Sequence, residues 1–307
     1  MTEHEFTLAD RVQKIKSINE QYDLEHKAYI AFSGGKDSTV LHYLIDEALP
    51  NNKIPRVYAN TGIELNSVRD FVLDFQKIDE RIIVLQPKEN IKSVLETYGY
   101  PFKSKKHSKV LANYQKNGLQ NKYTRVYIGM EKTLHGMDCF RGCPEILKHQ
   151  FQPDYKLRVS DICCEKLKEE PLSFYQKEHN RPIGIVGVRR EEGGRRFNAQ
   201  CTIFNRGGQK LLRFQPLAII TEDWENYFIR LKNIKLASVY YPPYNFERTG
   251  CKGCPFAPKL QKELDILNKY FPTEAKQCEI VWKPVYDEYR RIGYRLKEDK
   301  NEKSNRT

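Results

Sequence analysis

No stretch of this 307-residue chain approaches the roughly 20 consecutive apolar residues that span a bilayer. At its start, Glu3, Glu5 and Asp10 stand where a signal peptide would carry a basic region and an apolar run, so a soluble, cytoplasmic protein without membrane contact is expected. Internal repeats are absent. Disorder from low hydrophobicity is excluded, because hydrophobic residues make up 39% of the chain and there are 19 Tyr and 15 Phe. Between Thr97 and Met130 no residue is acidic, while Lys103, Lys105, Lys106, Lys109, Lys116, Lys122 and Arg125 alternate with Tyr98, Tyr100, Phe102, Tyr114, Tyr123 and Tyr127. This pattern predicts an insertion, about 97–160, with a basic surface bearing aromatic rings.

What is present is positive charge and cysteine. Lys and Arg number 52 against 40 Asp and Glu, a net charge of +12 that attracts polyanions such as nucleotides or nucleic acid. Without a secretory signal the eight cysteines are not expected in disulfides, and paired spacings read first as metal or catalytic sites.

Periodicity predicts an N-terminal helix capped by Thr7-x-x-Asp10, with Leu8, Val12, Ile15 and Ile18 on one face. Strands are predicted at Ala28–Phe32, Arg56–Asn60, Ile82–Leu85 and Ile183–Val188, with helices after the first and across Ser67–Gln76. Strands alternating with helices imply an α/β fold with a doubly wound, mostly parallel sheet. A further helix should start at the cap Thr221, and two more are expected at about Pro258–Tyr270 and Thr273–Ile292. The expected organisation is an α/β domain over 1–240, a helical, cysteine-bearing extension over 241–296 and a charged tail over 297–307.

Ser33-Gly34-Gly35-Lys36-Asp37-Ser38-Thr39 joins the first strand to its helix. It lacks the four-residue spacer of a Walker A loop and is not G-x-G-x-x-G. It still suits an anion: the glycines admit close backbone approach, Ser33, Ser38 and Thr39 bring hydroxyls, Lys36 brings a cation, and the helix start presents unpaired N–H groups. The whole string resembles the PP-loop of the nucleotide α-hydrolase family, which includes ATP pyrophosphatases and adenylylsulfate reductases. That resemblance implies binding of ATP or an adenylylated substrate by Ser33, Gly34, Gly35, Lys36, Asp37 and Ser38. Asn60-Thr61-Gly62 also matches a family motif, at the strand end where α/β sheets place ligands.

Cys251-Lys252-Gly253-Cys254 has metal-ligand spacing, and adjacent Cys163 and Cys164 suit different irons of a cluster better than one small ion. A Cys₄ site using Cys139 and Cys143 with the C-x-x-C pair stays open on spacing alone. With their flanking residues, Cys163-Cys164 and Cys251-x-x-Cys254 resemble the ligand set of iron–sulfur adenylylsulfate reductases, which implies a 4Fe-4S cluster on Cys163, Cys164, Cys251 and Cys254. Cys201 is expected to be packed.

The run Arg189-Arg190-Glu191-Glu192-Gly193-Gly194-Arg195-Arg196 resembles a family segment that contacts the anionic end of the substrate, implying that role for Arg189 and Arg190. The cysteine motif at the C-terminus of true reductases is missing. Its nearest counterpart, Cys278, lies in a helical pattern and is expected on a helix face or in the core. The chain therefore resembles the phosphoadenosine phosphosulfate (PAPS) reductase family without the reductase tail, a combination similar to the ATP pyrophosphatase component of DNA phosphorothioation systems. The resemblance implies an enzyme that binds ATP with Mg²⁺ and cleaves between the α- and β-phosphates to support sulfur transfer, with Lys36, Asp37, Arg189 and Arg190 as catalytic residues. It also implies a sulfur or electron donor protein as partner, and an acceptor such as nucleic acid on the basic insertion. Two alternatives stay open: a (phospho)adenylylsulfate reductase with Cys278 as nucleophile, and a nucleotide-sensing regulatory or nucleic-acid-binding protein without catalysis.

Overall fold

The computed structural model describes residues 1–297, so all but the first residue of the expected tail lies outside the described residues. The chain forms two compact units, each of two segments: Met1–Pro87 with Lys168–Gly250, and Lys88–Leu167 with the stretch from Cys251 onward.

The first unit is an α/β layer structure. Its strands are β1 (Ala28–Ala31), β2 (Arg56–Ala59), β3 (Ile82–Leu85), β4 (Ile183–Val186), β5 (Thr202–Phe204) and β6 (Leu211–Phe214), in the order β3-β2-β1-β4-β6-β5. All neighbours are parallel except β5, which runs antiparallel to β6. Alternating residues of β1 face opposite layers. Ile30 packs with Ile15, Leu41, Leu44, Trp224 and Phe228, which come from helices Glu3–Tyr22, Lys36–Ala48 and Glu222–Leu231. Tyr29 and Ala31 pack with Val57, Ile83 and Tyr175, the last from helix Glu170–Glu178. Each large apolar side chain removed from water here contributes about 1.5–3 kcal/mol. Helices thus cover both faces of the sheet, as the strand–helix alternation predicts.

Boundaries differ in detail. The capping box of the first helix is Thr2 with Glu5, not Thr7 with Asp10, and the helix begins at Glu3. The fourth strand stops at Val186, and the arginine run after it forms two short 3₁₀ turns, Arg190–Glu192 and Gly194–Arg196. Strands β5 and β6 carry no sequence signal.

The second unit contains helices Ile91–Tyr98, Lys105–Asn117, Lys122–Tyr127, Leu260–Tyr270, Pro272–Val281 and Lys283–Arg291. The helix expected over Thr273–Ile292 breaks at Trp282, because Pro284 in the next turn has no N–H to continue the ladder. The basic stretch is built around an interior and is not an aromatic surface throughout: Phe102 and Tyr127 are buried, whereas Tyr123 is exposed. Buried His107 explains this, since its ring nitrogens meet the Tyr127 hydroxyl at 3.0 Å and Gln150 Oε1 at 2.7 Å. Lys109, Lys116 and Lys122 remain on the surface.

Two glycines fix the loop after β1. Gly34 has φ +69°, and a Cβ there would lie 2.5 Å from Val72 Cγ2 on helix Asn66–Ile78. A Cβ on Gly187, just beyond β4, would lie 2.9 Å from the Asp37 carbonyl oxygen. Gly62 shares the positive φ (+73°) but has open space around it. Gly62→Ala should therefore lose about 1–2 kcal/mol from backbone conformation alone, and Gly34→Ala a further 1–3 kcal/mol or so from overpacking. Urea unfolding midpoints of the two variants check this, and equal losses would show that contact with Val72 is not limiting.

Candidate functional site

The chain runs outward from β1 to β2 and β3, then returns to place β4 on the other side of β1. This reversal opens a crevice at the carboxyl ends of β1 and β4, where the backbone diverges in opposite directions. Ser33–Ser38 lies at one end of it and Gly187–Arg189 at the other. Gly35 is the N-cap of helix Lys36–Ala48 and offers no capping side chain, so the first turn keeps donors for a ligand. The hydroxyls brace the loop from within: Ser33 Oγ and Ser38 Oγ are 3.0 Å apart, Ser38 Oγ donates to the Gly35 carbonyl at 2.9 Å, and Thr39 Oγ1 donates to the same carbonyl at 3.0 Å. The Lys36 N–H donates to the Tyr240 hydroxyl at 3.0 Å, which in turn lies 2.6 Å from Thr249 Oγ1.

An ionic cluster sits beside the loop. Lys36 Nζ is 3.1 Å from Glu222 Oε1 and 3.1 Å from Glu225 Oε2. Arg189 Nε donates to Asp37 Oδ1 at 2.8 Å, Nη1 to Glu191 Oε2 at 2.9 Å, and Nη2 lies 3.4 Å from Glu225 Oε2. Glu225 is wholly buried. Burial, then repulsion from Asp37, pushes its carboxyl up to about 8, against the pull of Arg189 and Lys36. Burial opposes the Lys36 charge, but Glu225 and Glu222 outweigh it and raise the ammonium pKa. Glu225 was missed from sequence because an acid in the first turn of a helix reads as a complement to the helix dipole.

Two cavities flank the loop. One, of about 260 Å³, is lined by Gly35, Lys36, Asp37, Arg189, Arg196 and Arg248, among others. The second, of about 120 Å³, is mostly apolar, with Val57, Tyr58, Val68 and Leu172 in its wall. Ala31, Ser33 and Thr249 belong to both. Of the arginines expected at the site, Arg189 lines the charged cavity. Arg190 is exposed, donates through Nε to the Ala199 carbonyl at 2.6 Å and lines a separate groove with Phe197 and Gln200. Asn60, Thr61 and Gly62 form a turn beyond β2, in which the Gly62 N–H donates to Asn60 Oδ1 at 3.3 Å. Ala59 and Glu64 on either side of that turn, not these three residues, line the apolar cavity.

The cysteines separate clearly. Cys163, Cys164, Cys251 and Cys254 all fall in the second unit, although the chain visits the first unit between the two pairs. The Cys163 thiol is pushed far up by its hydrogen bond with Cys164, by burial, and by the neighbouring charges of Cys164, Cys254 and Cys251. Thiols crowded in this way ionise together only around a cationic centre, which is the donor chemistry of a metal–sulfur group. Among the described residues, no set of three or more His, Cys, Asp or Glu side chains is placed to hold a metal ion, which applies to Cys163, Cys164, Cys251 and Cys254 as it does to Cys139 and Cys143 with the C-x-x-C pair. Cys278 is buried against Gly253, where a Cβ would lie 2.8 Å from its Sγ, and burial pushes its thiol up to about 12. Cys201 is half-buried against the first unit's core, with Arg11 Nη1 at 3.8 Å from its sulfur. No helix among the described residues is long and apolar enough to cross a membrane.

No curated protein sequence matches the chain. Among solved structures, it is similar to a phosphoadenylyl-sulfate (PAPS) reductase from Candida auris in a phosphate complex, at a TM-score of 0.40 and 12% identity over 69% of this chain and 76% of that one. The FMN adenylyltransferase of Candida glabrata gives 0.44 and 11% over 78% of this chain and 62% of that one. The U34-tRNA thiolase NcsA of Methanococcus maripaludis, with its 4Fe-4S cluster, gives 0.40 and 16% over 96% of this chain and 83% of that one. The family model of the phosphoadenosine phosphosulfate reductase domain matches residues 27–137 and 141–257. Those stretches take in the loop after β1, Arg189 and both cysteine pairs, and on this match the chain belongs to the phosphoadenosine phosphosulfate reductase domain family.

Proposed function

We propose that this chain is an iron–sulfur enzyme of its family that binds ATP as the Mg²⁺ complex and cleaves the α–β phosphoanhydride, adenylylating an acceptor for sulfur transfer. The observation that carries this reading is the pair of cavities at the strand-order reversal, one lined by charged side chains and one mostly apolar, with Ala31, Ser33 and Thr249 in the walls of both. A triphosphate fits the first and a base the second, with the sugar at the shared wall.

In this reading the N–H groups at the start of helix Lys36–Ala48 and the Lys36 ammonium hold the phosphates. The Arg189 guanidinium, oriented by Asp37, faces the charge that builds on the leaving group. The acceptor oxygen attacks the α-phosphorus, the bond from that phosphorus to the α–β bridging oxygen breaks, and pyrophosphate leaves with the electron pair. Arg196 and Arg248 extend the cationic wall, and Arg190 stands outside it. Cys163, Cys164, Cys251 and Cys254 would hold the 4Fe-4S cluster, with the adjacent pair on different irons. Such a cluster supplies electrons or a local field. A sulfur or electron donor protein and a polyanionic acceptor complete the scheme, the acceptor meeting Lys109, Lys116 and Lys122. Cys278, buried and hard to ionise, is poorly suited to attack sulfur, which favours this scheme over a reductase.

The decisive experiment assays anaerobically purified protein for pyrophosphate released from ATP and for sulfite released from adenylylsulfates. Pyrophosphate without sulfite is expected, with Lys36→Ala lowering the rate by about 10²–10³. Sulfite release that depends on Cys278 would mark a reductase instead, and ATP binding with no product for any acceptor would mark a sensor. Iron and sulfide content checks the cluster: Cys163→Ser and Cys254→Ser should lose both, while Cys201→Ser keeps them. A third outcome is set by Glu225, whose folded-state pKa lies above its unfolded value of about 4.5. The folded state then holds the extra proton, so this group's stabilisation falls as pH rises from about 4.5 through 8. Unfolding midpoints of Glu225→Gln across that range should lack this slope.

A further inference from the structure

Glu64 is one carboxylate with two unlike oxygens. Oε1 accepts from the Thr61 N–H at 3.1 Å and from the Thr61 hydroxyl at 2.5 Å. Oε2 is buried and has no hydrogen-bond partner among the described residues, in a residue only 8% exposed. A buried acceptor left without a donor costs about 1–3 kcal/mol, more when charged. Thr61 holds the group in place while leaving half of it unmet, the arrangement expected when a ligand brings the missing donor.

The surroundings identify the donor. Glu64 lines the apolar cavity of about 120 Å³, with Val57, Tyr58, Val68 and Leu172, and Lys168 is in the same wall. It does not line the charged cavity. The sugar of a nucleotide joins base to phosphates and so belongs at the shared residues Ala31, Ser33 and Thr249, which leaves the base against Glu64. A carboxylate oxygen attracts the N–H of an amino group and repels the lone pairs of a ring carbonyl.

We infer that Glu64 Oε2 accepts a hydrogen bond from the exocyclic amino group of the bound base, so that Glu64 selects a 6-aminopurine over a 6-oxopurine nucleotide. The inference rests on the nucleotide reading above and names the residue that makes the site specific. A site built to pair with a donor rejects the analogue that lacks it, because the buried acceptor then stays unmet.

Calorimetric titration of the full chain with ATP, ITP and 2′-deoxyATP in Mg²⁺ buffer tests it. The wild-type chain should bind ITP about tenfold to a hundredfold more weakly than ATP, the range of one hydrogen bond to a charged group, and should bind 2′-deoxyATP like ATP. In Glu64→Gln the amide can turn an N–H toward O6, so ITP should gain affinity and the ratio should fall to within about threefold. Equal wild-type affinity for ATP and ITP, or a ratio unchanged in Glu64→Gln, overturns the inference. Weakened binding confined to 2′-deoxyATP also overturns it, by putting Glu64 at the sugar. Failure of folded protein to bind any of the three overturns the nucleotide reading itself, and the selection with it. Should Glu64→Gln not fold, the wild-type ratios decide alone.

Discussion

Lys36, Asp37, Arg189 and Glu225 come from three segments far apart in the chain and meet beside the loop after β1 within ion-pair distance of one another. Glu225 is withdrawn from water completely, a placement tolerable only because two cations lie within ion-pair distance and its carboxyl retains a proton more readily than usual. Removing Lys36 or Arg189 would take from the buried Glu225 one of the two cations within ion-pair distance of it. The loop after β1, the segment after β4 and helix Glu222–Leu231 thus share one electrostatic solution.

That solution is local. The charged cavity owes its cations to residues beyond the ends of β1 and β4, while the apolar cavity owes its walls to β1, β2 and helix Glu170–Glu178. One reversal of strand order therefore supplies two environments side by side, one lined by charged side chains and one mostly apolar. The close approach of Gly187 to the first turn of helix Lys36–Ala48 keeps the two strand ends near enough for one ligand to touch both.

Strands β1 to β4, the loop and the Thr221 cap were legible because each announces itself locally, by an apolar run, by glycines and hydroxyls at fixed offsets, or by a capping side chain that here accepts from the Trp224 N–H. Strands β5 and β6 were not, since they are three and four residues long and owe their pairing to neighbours in the sheet. Among the site residues, Lys36 and Arg189 were visible by type and motif. Glu64 and Glu225 were invisible, because burial of a carboxylate is a property of the assembled fold. The basic stretch misled in the opposite way: its aromatic residues read as surface until buried His107 is seen to meet the Tyr127 hydroxyl with one ring nitrogen and Gln150 with the other.

The interleaving of the two units has a consequence during synthesis. The first unit is complete only when Gly250 has been made, and the very next residue, Cys251, opens the segment that completes the second. Cys163 and Cys164 leave the ribosome long before Cys251 and Cys254. A metal–sulfur group that needs all four cysteines could therefore be completed only after the first unit already has its full sequence.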